Sequence, residues 1–182
     1  WTDTFYENYY RYVTSQEGYS KVSGKIKNLS IIDSHPNWNW DWDTVSSNEA
    51  LLANNAIFTE FGQKLNWSIV LEVVTNNDLL ESIDNINSYI ADDQEAWQKF
   101  SEIASIPYVI RTFNESRYPW NWTVLTKRML PQLKLENLGN PLFVDKWDWD
   151  YLSQEISKTN LEKYLLPYAS HWNWSVVFDS IL

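Results

Sequence analysis

Trp147-Asp148-Trp149-Asp150-Tyr151-Leu152-Ser153 is the stretch on which the reading of the fold turns. Its core recurs as Asp41-Trp42-Asp43-Thr44-Val45-Ser46 and as Asn121-Trp122-Thr123-Val124-Leu125-Thr126. Shorter copies are Asn66-Trp67-Ser68-Ile69-Val70 and Asn173-Trp174-Ser175-Val176-Val177. The shared pattern is Asx-Trp-x-x-aliphatic, often followed by Ser or Thr. Ala96-Trp97-Gln98-Lys99-Phe100-Ser101 is a degenerate copy, and Gly18-Tyr19-Ser20-Lys21-Val22-Ser23 a weaker one. With the aromatic of each copy as register, successive gaps are 23, 25, 30, 25, 27 and 25 residues, the signature of a tandem repeat.

The motif reads as a helix start. Asp and Asn are favoured N-cap residues, so Trp42 falls at the first helical position and Val45 at the fourth. The residue before each cap is then Trp40, Leu65, Trp120, Trp147 or Trp172. An apolar residue there packing on an apolar fourth residue is the hydrophobic staple. The expected pairs are Trp40 with Val45, Leu65 with Val70, Trp120 with Leu125, Trp147 with Leu152, and Trp172 with Val177. Small polar or acidic residues after the lead Trp (Asp43, Ser68, Thr123, Asp150, Ser175) suit the positive end of the helix dipole.

Each repeat leaves room for a second helix. Asn48 is expected to cap Glu49 to Lys64, with Leu51, Leu52, Ile57 and Phe61 as its apolar stripe. Asn77 is expected to cap Asp78 to Ile90, and Ser105 to begin another helix with Pro107 in its first turn. Asn160 would cap Leu161 to Ser170. After Trp122, Pro131 and Asn140-Pro141 both read as starts. Two short helices cannot bury an apolar face alone, so neighbours must stack. The expected fold is all-α: tandem helical-hairpin repeats stacked as a short α-solenoid. Residues 1–37, aromatic but irregular, read as an N-terminal capping unit or degenerate repeat, and 38–182 as one continuous array.

The Trp-Asp-Trp-x-x-Leu-Ser copies resemble the Trp-rich tandem repeats, written W-D-W-x-x-L-S, of large uncharacterised proteins of bacteria and some giant viruses. The resemblance covers about residues 38–182 and is strongest at Trp147 to Ser153 and Trp38 to Ser46. The copies at Trp67 and Trp97 lack the first Trp. The resemblance implies a module within a larger protein, sometimes joined to nuclease-like or defence-associated parts, and it carries no catalytic residue to transfer.

Composition agrees with this class. The chain has 182 residues, 44% of them hydrophobic and 21% charged, which suffices for a buried core. Only four Gly and six Pro argue against the many tight turns of an all-β fold. With no cysteine, disulfides, thiolate metal sites and Cys nucleophiles are excluded, and a reducing cytoplasm is the expected compartment. No apolar run approaches the roughly 20 residues of a membrane span. Trp1 is not a start methionine, so the chain is expected to be a segment of something longer or a processed product. The net charge of −10 opposes phosphate binding, and nucleic acid is an unlikely partner on that ground.

Candidate chemistry is sparse. Asp41 with Asp43 and Asp148 with Asp150 are paired acids, but a metal or acid–base site would add a histidine or a third acid. They read instead as residues that cap and charge helix starts, and Asp92-Asp93 as a solvated turn. His35 and His171 each lie ahead of a Trp motif, on expected inter-repeat turns. Glycines only at 18, 24, 62 and 139 allow no phosphate loop. Lys21, Lys25 and Lys27, and Arg111, Arg117, Lys127 and Arg128, read as solvated faces. Asn28, Asn66, Asn114, Asn121 and Asn173 head Asn-x-Ser/Thr sequons, three of them merely the repeat motif.

No catalytic residue, cofactor or metal is therefore expected. The leading reading is a non-catalytic scaffold that presents a surface to another protein or to the rest of its own chain. Trp97 and Phe100 join the strict copies as its structural motif. The alternative is recognition of nucleic acid or oligosaccharide by stacking, as in the sensor part of a defence-associated nuclease; a positive stripe with solvent-exposed Trp42, Trp122 or Trp149 would favour it. A hydrolase built on Asp148 and Asp150 is a weaker third.

Overall fold

The computed structural model describes residues 2–113, 115, 118–131, 138–155 and 167–181. Among the described residues there are fourteen helices and no strand, so the chain is all-α. In order they are α1 (Asp3–Tyr10), α2 (Gln16–Ser23), α3 (Ser30–Ser34), α4 (Trp42–Ser46), α5 (Glu49–Leu52), α6 (Ala56–Phe61) and α7 (Trp67–Val73). There follow α8 (Asn77–Glu81), α9 (Ile86–Ile90), α10 (Gln94–Ile103), α11 (Ile106–Thr112), α12 (Trp122–Met129), α13 (Trp149–Glu155) and α14 (Trp174–Ile181). None of these helices is long and apolar enough to cross a membrane.

By backbone proximity the chain divides into two compact units, Trp1–Lys99 and Phe100–Leu182. In the first, α2 lies beside α4 and α4 beside α7. In the second, α12 lies beside α13 and α13 beside α14. The motif helices thus neighbour one another within each unit.

Most helices are very short, too short to persist alone in water, so packing must hold them. The apolar residues that follow each start supply it. Val45, Val70, Phe100, Leu125, Leu152 and Val177 are all buried, as are Trp40, Leu65, Trp120, Trp147 and Trp172 just before the caps. Phe100 also faces Trp120 of the next start, with ring centroids 5.2 Å apart.

The second helices differ from expectation in where they break. Asn48 does cap its helix, its Oδ1 accepting from the Ala50 N–H at 3.2 Å. That helix ends at Leu52, however, and α6 begins at Ala56. Asn54 causes a fresh start, since its Oδ1 accepts from the Ala56 N–H at 3.0 Å and so competes with helix continuation. Leu51, Leu52, Ile57, Phe58 and Phe61 remain buried across the break.

The span expected from Asp78 to Ile90 likewise splits into α8 and α9, at Asn85, whose φ of 61° lies in the left-handed region. Its cap is Asn76 rather than Asn77, which becomes the first helical residue. Ser105 caps α11 as expected, with proline in the first turn. Asn140 organises turns instead of an α-helix: its Oδ1 accepts from Leu142 at 3.0 Å and its carbonyl from Phe143 and Val144. Residues 132–137 after Pro131, and the start at Asn160 with Leu161 and Leu165, lie outside the described residues.

Before the first strict copy, Tyr10 and His35 sandwich the Trp38 ring at centroid distances of 3.9 and 4.0 Å. Both contacts are nearly parallel, and His35 Nε2 lies 3.4 Å from Glu7 of α1. The Tyr6 hydroxyl donates to the Lys25 carbonyl. These contacts seat α1 on the segment that carries Trp38.

Candidate functional site: the row of Asx-Trp starts

In the five strict copies the cap side chain accepts the N–H three residues on. Asp41 Oδ1 takes Thr44, Asn66 takes Ile69, Asn121 takes Val124, Asp148 takes Tyr151 and Asn173 takes Val176, at 2.9–3.4 Å. The degenerate copies start one turn earlier. Ser15 caps α2, four residues before Tyr19. Asp93 accepts from Ala96, so the helix carrying Trp97 begins ahead of it.

The lead tryptophans are anchors. The Nε1–H of Trp67, Trp149 and Trp174 donates to the carbonyl five residues back (Gly62, Val144 and Ala169), at 2.7–2.8 Å. Trp97 donates to the carbonyl six residues back, of Ala91, at 2.8 Å. Each bond ties the incoming loop to the helix it feeds. Trp67 and Trp97 are buried, whereas Trp42, Trp122, Trp149 and Trp174 are half-buried. Among the described residues no tryptophan is exposed. Trp42, Trp122 and Trp149, whose exposure would favour stacking on sugars or bases, are thus partly covered rather than exposed.

The residue that closes the motif holds successive starts together. Ser23, Ser46, Ser101, Thr126 and Ser153 are all fully buried. Their hydroxyl oxygens accept the backbone N–H of the next cap: Asp41, Asn66, Asn121, Asp148 and Asn173, at 2.8–3.0 Å. Ser46, Thr126 and Ser153 donate their own hydroxyl hydrogens to the carbonyls of Trp42, Trp122 and Trp149, at 2.6–2.7 Å. The hydroxyl spans two repeats, accepting from one and donating within the other. After Trp67 this position is Leu71, and the next cap N–H, of Asp93, turns instead to the Ile90 carbonyl. That is also the junction with the long gap of 30 residues.

Two further residues reinforce the junctions from the position six after the lead Trp. Asn48 Nδ2 donates to the carbonyls of Ser23 and Ile26, at 3.3 and 2.9 Å. Arg128 donates to the equivalent carbonyls of Ser101 and Ala104, the latter at 2.9 Å. Ser23, Ser101 and Ala104 lie at the ends of the preceding motif helices and Ile26 just beyond one, where a donor, and above all a cation, is favourable.

The paired acids are accounted for by the same geometry. Asp41 Oδ2 accepts from the Ser20 hydroxyl, while Asp43 Oδ1 accepts from Asn66 Nδ2 at 2.9 Å. Asp150 Oδ1 accepts from Asn173 Nδ2 at 2.8 Å. Asp93, read from sequence as a solvated turn, is a cap that also receives the Ser68 hydroxyl at 3.4 Å. His171 sits in a turn with Nε2 3.4 Å from Asp145. Among the described residues no group of three or more His, Asp or Glu is placed to hold a metal ion.

The basic residues are engaged locally. Lys21 pairs with Glu17, Lys127 lies over the Tyr151 ring at 5.2 Å, and Arg111 over Tyr108 at 5.0 Å. Arg117 lies outside the described residues.

The chain matches no protein-family model, no curated protein and no solved structure. What these positions do is therefore argued from their own geometry.

Asp41 gives the row a pH signature. The Ser20 hydroxyl, helped by the Thr44 N–H, holds its carboxyl below the ordinary range against the opposing effect of burial. A depressed folded value stabilises fully above the unfolded pKa of about 3.9 and is lost as pH falls through the folded value. Denaturant midpoints measured from about pH 6 to pH 2 should therefore fall less steeply for Asp41→Asn than for the native protein. Equal slopes would show that Asp41 carries no such linkage.

Proposed function

We propose that this chain is a non-catalytic helical repeat module, its helical hairpins stacked as a short α-solenoid. It presents an extended surface to another protein or to the remainder of its own chain. The observation that carries this reading is the junction bond: at five of the six junctions a buried hydroxyl on one motif helix accepts the cap N–H of the next. Such a bond uses the same residue types at each repeat and can be extended by adding units, as stacked-repeat folds require. Asp41, Asp43, Asp148 and Asp150 all serve helix starts or neighbouring caps, which favours scaffold over hydrolase. The likeness to Trp-rich repeats of large proteins points the same way.

Small-angle scattering tests the stacking. A globular chain of this length would have a radius of gyration of about 16 Å. The stacked form predicts a larger value and a pair-distance distribution with a long tail. A value near that of a compact sphere would overturn the solenoid. Saturable quenching of tryptophan fluorescence by an oligosaccharide, or by a single-stranded oligonucleotide in a salt-dependent manner, would instead favour a stacking receptor.

A further inference from the structure

Two polar side chains face each other across four of the junctions: the residue after one lead aromatic, and the cap of the next start. Ser20 donates to Asp41, Asp43 accepts from Asn66, Ser68 donates to Asp93, and Asp150 accepts from Asn173. The corresponding positions of the other two copies are held in the sequence by Gln98 and Asn121, and by Thr123 and Asp148. Across all six, an aspartate cap is preceded by a hydroxyl, an asparagine cap by aspartate or glutamine, and never is acid set against acid.

The reason lies in what each cap has left after capping. One Oδ of either residue is taken by the helix N–H. An aspartate then offers only a second acceptor and needs a donor, whereas an asparagine offers its NH2 and needs an acceptor. Two carboxylates in the same place would leave both without a donor and repel each other.

We infer that these two positions are a matching pair that decides which repeat can seat on which. A start bearing a hydroxyl takes a neighbour with an aspartate cap, and a start bearing aspartate takes one with an asparagine cap. The partner recognised is a second repeat of this type, and its specificity is read at one residue on each side. This rests on the stacked-repeat reading, yet it is tested separately from it. Discrimination comes as much from the refused pairing as from the accepted one.

The test is Asn66→Asp. Aspartate caps a helix as well as asparagine does, so α7 keeps its start and only the match with Asp43 is broken. At neutral pH and low salt, the folded-to-unfolded ratio should fall about two- to fivefold, the scale of exposed charge pairs. Adding Asp43→Ser, which recreates the Ser20–Asp41 pairing, should restore it, and the single variant's loss should shrink below about pH 4. The same cycle with Asn173→Asp and Asp150→Ser provides a second junction if the first pair folds poorly. No loss in the Asn→Asp variants, or no recovery in the doubles, would overturn the rule. Either result would leave the scattering test of the stack untouched.

Discussion

Replacing Trp67 with alanine is expected to cost about 3–5 kcal/mol of unfolding free energy, the range for deleting a large buried aromatic. The ring is only 3% exposed. It stacks on Tyr89 at 5.7 Å with planes 6° apart and packs against Phe58 at 5.8 Å. Its Nε1–H donates to the Gly62 carbonyl at 2.8 Å. One side chain thus joins α7 to α6 and α9, and its removal leaves a cavity and an unpaired carbonyl together. Trp67→Phe should fall between, because it keeps much of the ring contact and loses the N–H. Trp174→Ala should cost less, since that ring is half-buried. Chemical denaturation of the three variants ranks them. If Trp67→Ala unfolds at the native midpoint, the lead tryptophans are not packing anchors.

Much of this was legible in the sequence because it is local. Asx before Trp names a cap, and apolar residues at the flanking positions name what the helix buries; both depend only on spacing within six residues. The all-helical class and the buried pairs around Trp40, Trp120, Trp147 and Trp172 came from that. The second helices were less legible. Glu49 to Lys64 shows an unbroken apolar stripe, yet Asn54 takes the Ala56 N–H and a new helix starts inside it, and a side chain's choice between solvent and its own backbone leaves no periodic trace. Asn76 and Asn77 are equivalent by type, and only the backbone shows which one caps.

The junctions were hidden for another reason. The recurring Ser or Thr was visible, but its partner lies 18–22 residues away, at a distance fixed by how one repeat seats on the next. Asp43 and Asp150, read as charges for the helix dipole, serve a neighbour's amide as well, which one repeat alone cannot reveal.

The second large effect is expected at that hidden position. Thr126 is fully buried, accepts the Asp148 N–H at 3.0 Å and donates to the Trp122 carbonyl at 2.7 Å. Thr126→Val keeps the shape and removes the hydroxyl, stranding a donor from the next repeat. The expected cost is about 1–3 kcal/mol, the penalty for a buried group left without its partner. Thr126→Ser, which retains the oxygen, should stay closer to the native protein, losing only the methyl group. Ser153→Ala should behave like Thr126→Val, because Ser153 holds Asn173 in the same way. Equal stability of the Val and Ser variants would mean that the hydroxyl does nothing for the junction.

Amide hydrogen exchange resolves this bond from all others. The Asp148 N–H depends on Thr126, whereas the Tyr151 N–H depends on the Asp148 carboxylate at 2.9 Å. In native protein both should be protected. In Thr126→Val, exchange at Asp148 should rise about tenfold or more, the equivalent of 1.4 kcal/mol, with Tyr151 little changed. An Asp148 amide that exchanges freely in the native protein, or at the same rate in the variant, would contradict the claim that buried hydroxyls lock the Asx-Trp helix starts onto the motif helices before them.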